Sequence, residues 1–136
     1  LTLCDTGPLV ALILRGDPHH ERCVRALEAL PPKPLLTTWP CWVEAVYLVG
    51  RVGGFASQEK LWTYVADGLV RLLEPETGEW RRIWALMRQY QDVPMDIADA
   101  SLVAAAERLK KRKIFTLDSH FHAYRIHGED SFEVVP

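Results

Sequence analysis

Cysteine is scarce in this sequence. Cys4, Cys23 and Cys41 are the three it has, an odd number whose spacing fits neither a CxxC pair nor a zinc knuckle. A disulfide framework is therefore excluded, and each thiol is expected to be a small buried hydrophobe in a reducing, cytoplasmic setting. Long apolar runs are missing too. No stretch approaches the ~20 residues that span a bilayer, and the start lacks the basic and apolar regions of a secretory signal, so a soluble protein is expected. Nor is there an excess of positive charge: 16 Lys+Arg stand against 18 Asp+Glu, a formal net charge of −2. Binding nucleic acid by bulk charge is excluded, and any such contact must be local. The sequence contains no GxxxxGK[ST] loop and no GxGxxG, which leaves nucleotide cofactors unsupported. His19-His20 and His120-x-His122 lack the H-x₃-H spacing that puts two ligands on one helical face, which argues against zinc.

What is present fits one globular domain over residues 1–136, with 49% hydrophobic residues and enough length to bury a core without staples. Leu1 to Cys4 reads as a short strand, and Leu9 to Leu14 as a buried helix after the Thr6-Gly-Pro8 turn. Asp17-Pro18 is placed to cap a second helix, lined by Val24, Leu27 and Leu30. Leu35 to Thr38 reads as a strand, and Trp39-Pro40 opens a helix with Val43, Val46, Tyr47 and Gly50 at helical spacing. Gly53-Gly54 closes it, and Ser57 begins the next helix, ahead of a strand over Leu69 to Leu73.

From Thr77, the residues Trp80, Ile83, Trp84 and Met87 form an amphipathic stripe with Arg81, Arg82 and Arg88 toward water, a stripe suited to core or to a dimer surface. Asp96 can cap a helix carrying Ala98, Leu102, Ala105 and Leu109, which ends in the cations Lys110 to Lys113. Ile114 to Leu117 and Phe132 to Val135 complete four or five strands. Strands alternating with helices predict an α/β fold with a mostly parallel sheet covered on both faces. In such sheets ligands bind beyond the carboxyl ends of the strands.

Acids collect at that edge. Asp5 and Asp118 directly follow two strands, Glu44 lies early in the helix after another, and Asp96 and Asp99 fall in the first turn of the helix before the fourth. Carboxylates crowded on one rim repel and raise one another's pKa unless a cation joins them. Oxygen donors of this kind select a hard ion, Mg²⁺ or Mn²⁺, and such ions can activate water for phosphodiester hydrolysis without a protein nucleophile. Taken singly, each acid also has a structural role open to it. Asp96 and Asp99 are spaced as the two acids of a capping box, Asp5 can serve a turn, and Glu44 can be a solvated helix residue.

In this order and context the acids resemble those of the PIN-domain ribonucleases, and within them the compact VapC-like toxins, along the whole chain. The resemblance lies in Leu3-Cys-Asp5-Thr6, in Trp42-Val-Glu44-Ala-Val46, in Asp99-Ala-Ser-Leu-Val-Ala-Ala-Ala106, and in Thr116-Leu-Asp118-Ser-His-Phe121. It implies a three-layer α/β/α domain and a Mg²⁺- or Mn²⁺-dependent endoribonuclease. It further implies an RNA substrate, a homodimer and a cognate antitoxin. Asp5, Glu44, Asp99 and Asp118 are the expected catalytic and metal-site acids. Asp96 is a further metal candidate, with Asp99 favoured over it, and Thr6 and Thr116 are placed to orient a carboxylate or a water.

Three lesser signals accompany these. Trp39 and Trp42 precede Glu44 and are candidates to stack on bases. His120 is a candidate proton carrier beside Asp118, and Lys110 to Lys113 are candidates to touch phosphates, although a helix C-terminus collects cations anyway. The alternative of a different class is a catalytically silent module of the same fold that acts by binding a protein partner. A phosphatase using Asp5 as nucleophile fits poorly, since the second Asp expected two residues on is replaced by Gly7.

Overall fold

The computed structural model describes residues 1–136. Five strands form one sheet: β1 (Thr2–Cys4), β2 (Leu35–Thr38), β3 (Val70–Leu73), β4 (Lys113–Phe115) and, last in the chain, β7 (Glu133–Val135). Their spatial order is β3-β2-β1-β4-β7, and every neighbouring pair is parallel. A small antiparallel ribbon of β5 (Arg125–Ile126) and β6 (Asp130–Ser131) stands apart from the sheet. The helices are α1 (Thr6–Ile13), α2 (His20–Ala29), α3 (Trp39–Ala66), α4 (Glu79–Gln89) and α5 (Ile97–Leu109), with a 3₁₀ turn at Ser119–His122.

The central strands are short and apolar because both faces are covered, so alternation of polar and apolar residues is lost. Leu3, Leu36 and Ile114 point to the layer that contains Leu86 of α4 and most of α5. Cys4, Leu35 and Phe115 point to the layer built by α1, α2 and α3. The fold is thus the expected three-layer α/β/α arrangement, with the sheet parallel throughout. From β1 the chain first builds β2 and β3 on one side, then crosses to β4 and β7 on the other. This reversal of strand order leaves a crevice beyond the carboxyl ends of β1 and β4.

Several local expectations shift. Asp17 does not cap α2: its side chain accepts from the His19 backbone N–H at 2.8 Å, and the helix starts at His20. α4 starts at Glu79 rather than Thr77, after Gly78 turns the chain in the left-handed region at φ 82°. The two helices expected on either side of Gly53-Gly54 are both present within α3 and meet at a sharp break at Gly54, φ 67° and ψ −162°, with no loop before Ser57. On α3 the buried face is Trp42, Ala45 and Val49, while Val43 and Tyr47 are each 60% exposed. Apolar residues at helical spacing occur on both sides of this helix, and spacing alone does not say which side meets the sheet. Trp80 and Trp84 are exposed as well, whereas Ile83 and Met87 pack toward the core. All three cysteines are buried and free.

Candidate metal and catalytic centre

Asp5 follows the last residue of β1, where its backbone N–H still reaches the Phe115 carbonyl of β4 at 2.9 Å. It also caps α1: Oδ1 accepts from the Thr6 N–H at 2.7 Å, and Oδ2 accepts from the Thr116 hydroxyl at 2.8 Å. The Thr116 Oγ1 in turn accepts from the Asp118 N–H at 3.0 Å. One threonine therefore links the acids at the ends of β1 and β4. The Thr6 hydroxyl lies 3.3 Å from both the Cys41 carbonyl and Glu44 Oε2, so its single proton serves either acceptor. Asp118 Oδ1 accepts from the His120 N–H at 2.9 Å, and the His120 ring Nδ1 lies 3.1 Å from the same oxygen.

Asp99 enters from the other layer, in the first turn of α5. Asp96 is the N-cap of that helix, its Oδ1 accepting from the Asp99 N–H at 2.8 Å. Asp99 itself makes no cap; its Oδ2 accepts from the Tyr124 hydroxyl at 2.9 Å. Ligand oxygens of Asp5, Asp99 and Asp118 lie within 4.8 Å of one another. Glu44 and Asp96 line the same cavity of about 300 Å³ but are exposed and stand outside that close cluster. Reading the sequence overlooked two contacts of these acids: the Cys41 thiol, 3.8 Å from Asp5 Oδ1, and the Tyr124 hydroxyl on Asp99. Tyr124 lies twenty-five positions from Asp99 in a segment without periodicity, and no sequence signal marked it.

The electrostatics follow from this crowding. Burial pushes the Asp5 carboxyl up to about 6; hydrogen bonds from Thr116 and Thr6 oppose the rise, and repulsion from Asp118 and Asp96 adds to it. Burial likewise pushes Asp99 up to about 7, with the Tyr124 hydrogen bond opposing and Asp96, Asp5 and Asp118 repelling. No lysine or arginine forms an ion pair with any of the five acids; the one basic partner is His120 on Asp118. Two helix N-termini, those of α1 and α5, contribute only partial positive charge. Three close carboxylates, two of them buried, without a full counter-charge are a donor set that fits a hard divalent cation.

Other candidate residues separate from the site. Trp42 is 1% exposed and packs edge-to-face on Trp62, so it cannot stack on a base. Trp39 is half-buried and, with Pro40, borders a groove that also contains Glu44, Asp96 and Ala98. Arg82 does not face water freely: it forms a two-pronged bond with the buried Glu107 at 2.7 and 2.8 Å. Lys110 to Lys113 lie at the far end of α5, on the order of 20 Å from its acidic start by helical rise, and Lys113 turns toward Glu133 at 3.9 Å. His20 spends Nδ1 on the Ala11 carbonyl at 2.7 Å.

A parallel sheet with its acids gathered where the strand order reverses places this chain among α/β/α domains built to hold a cation at that edge. The sequence profile described as "PIN domain" matches residues 2–126, and the chain belongs to the PIN-domain family. Among its relatives, Ribonuclease VapC26 of Mycobacterium tuberculosis is 30% identical over 139 residues, covering 98% of this chain and 99% of that protein. The crystal structure of M. tuberculosis VapC20, a sarcin-ricin loop cleaving toxin, superposes with a TM-score of 0.85 at 20% identity and covers 100% of both chains. A toxin–antitoxin complex from Klebsiella pneumoniae matches 88% of each chain with a TM-score of 0.65 at 21% identity. At those identities the two structural likenesses speak for the fold.

Proposed function

We propose that this chain, read as one PIN domain over residues 1–136, is a Mg²⁺- or Mn²⁺-dependent endoribonuclease that cleaves single-stranded RNA as the toxin of a toxin–antitoxin pair. The observation that carries this reading is the convergence of Asp5, Asp99 and Asp118 without a lysine or arginine among them. A silent module would gain nothing from burying acids that repel one another. Likeness over full length to a protein named a ribonuclease supports the reaction class.

In this reading Asp5, Asp99 and Asp118 hold the ion, and Glu44 and Asp96 extend the negative rim around it. Thr116 keeps Asp5 and the Asp118 backbone in register, and Thr6 orients Glu44. A divalent ion bound there supplies Lewis acidity toward water and toward the phosphodiester. The polypeptide then needs no nucleophile of its own, and the buried thiols of Cys4 and Cys41, both pushed well up by burial, offer none. RNA attraction is local to the ion, in keeping with a net charge of −2.

The partners in this reading are an antitoxin and a second copy of the chain, in the cytoplasm. Exposed Trp80, Trp84, Val43, Tyr47 and Ile97, each between 56% and 60% accessible, support such contacts. Trp80, Val43, Tyr47 and Ile97 line two adjoining grooves that share Trp39 and Pro40, and Trp84 stacks on Trp80. Contiguous apolar surface of this kind marks a protein contact.

The test is Mn²⁺-dependent melting and cleavage of a single-stranded RNA by wild type and Asp5→Asn. Wild type should gain about 2.7 kcal/mol at 100 times Kd, several degrees of Tm. Asp5→Asn should lose that gain, and cleavage should fall by about two orders of magnitude or more. A wild-type melting curve that ignores millimolar Mn²⁺ would overturn the proposal.

A further inference from the structure

Tyr124 makes a contact that neither the core nor the acid motif requires. Its side chain is fully buried. Phe121 meets its ring edge-on at 5.0 Å and Tyr90 at 5.2 Å. The Tyr90 hydroxyl is itself fixed, accepting from the Arg125 N–H at 3.0 Å. The Tyr124 ring is thus held from two sides, and its hydroxyl is delivered to Asp99 Oδ2 at 2.9 Å. No protein donor is within hydrogen-bond reach of the second carboxylate oxygen, Oδ1. A phenylalanine would fill the same space, so packing alone does not account for the hydroxyl.

Resting on the metal-site reading above, we propose that Tyr124 is a positioning residue that holds the Asp99 carboxylate in its metal-binding orientation. The physical need is specific to Asp99. Asp5 is held by two donors, the Thr6 N–H and the Thr116 hydroxyl, and Asp118 by the His120 N–H in its own turn. Asp99 sits on a helix from the opposite layer and faces two other carboxylates across less than 4.8 Å. Repulsion among ionised carboxylates at that distance favours rotation of Asp99 away about its side-chain torsions. One neutral hydrogen bond to Oδ2 blocks that rotation and leaves Oδ1 for the ion. Partners of this kind, which touch the ligand and not the metal, are worth roughly 10–100-fold in metal affinity.

The experiment is direct Mn²⁺ binding, by titration calorimetry and by the paramagnetic resonance signal of free Mn²⁺, on wild type, Tyr124→Phe, Asp99→Asn and the double variant. The control is Tyr64→Phe, which removes a tyrosine hydroxyl on α3, outside the acidic cavity. Tyr124→Phe should melt without metal within a few degrees of wild type and bind Mn²⁺ about 10-fold or more weakly, while Tyr64→Phe binds as wild type. In the Asp99→Asn background, removal of the Tyr124 hydroxyl should change Mn²⁺ affinity no further. Wild-type affinity in Tyr124→Phe, additive losses in the double variant, or failure of Tyr124→Phe to fold without metal would each overturn the assignment. Absence of Mn²⁺ binding in the wild type would remove the metal site itself, and the two failures are thereby told apart.

Discussion

Two carboxyls in this molecule titrate far above their ordinary range because burial is the largest influence on each, and the sign of the consequence is fixed. Asp5 at about 6 and Asp99 at about 7 bind protons in the folded state that they release when unfolded, where they titrate near 3.8. Between those limits the native state carries more protons than the unfolded one, so the stability they contribute is present below pH 4 and lost as pH rises toward 7. Melting without metal should therefore show Tm declining from these two groups across pH 4 to 7, and Mn²⁺ should flatten that decline because it replaces the protons. Mn²⁺ affinity, for the same reason, should climb with pH up to about 7 and then level. Equal metal-free Tm at pH 5 and pH 7.5 in both wild type and Asp99→Asn would contradict this. At this scale the sequence placed Asp5, Glu44, Asp96, Asp99 and Asp118 on one edge, since residues that end parallel strands or begin adjoining helices share one, and all five line one cavity. The sequence did not reveal Tyr124, because its contact with Asp99 depends on the path of the 3₁₀ turn after Asp118.

At the scale of elements, α3 shows how backbone and packing work together. Gly54 sits at φ 67° and ψ −162°, a region essentially closed to residues with a Cβ. The break lets the second half of the helix fold back on the first: the Gln58 side chain donates to the Val46 carbonyl at 3.0 Å. A Cβ on Gly53 would stand 1.9 Å from Ser57 Oγ, and one on Gly50 2.3 Å from Gln58 Nε2. Gly54→Ala should cost about 1–3 kcal/mol of stability, read as a lower Tm with the Mn²⁺ shift intact, since no site residue follows the break before Asp96. A Tm equal to wild type would show that the break is not obligatory. The glycine pair was legible in the sequence as a helix end. The next helix was legible too, at Ser57; only the lack of a loop between the two was not, because the way they meet depends on where Trp42, Ala45, Val49 and Leu61 find the core. On α4 the polar side reads as expected for Arg81 and Arg88, which are exposed and lie over the rings of Trp80 and Trp84; only Arg82 departs, drawn inward by Glu107.

For the molecule as a whole, the apolar strip beside the acids has its own test. If a second copy covers Trp80 and Trp84, the contact is self-complementary, and one charge enters it twice. Trp84→Glu should shift sedimentation from dimer to monomer at micromolar concentration while metal-free Tm at equal monomer fraction changes little; a wild-type monomer would show that this face serves another partner. By itself the sequence determined the layer architecture, the parallel sheet and which acids share an edge, because these follow from local periodicity, strand ends and the order of elements. Tertiary structure alone decided which face of α3 is buried, that Glu44 and Asp96 stay on the rim while Asp5, Asp99 and Asp118 close together, and that Tyr124 reaches Asp99. Those outcomes depend on angles between layers, and no spacing along a chain encodes an angle between two helices that meet only after folding.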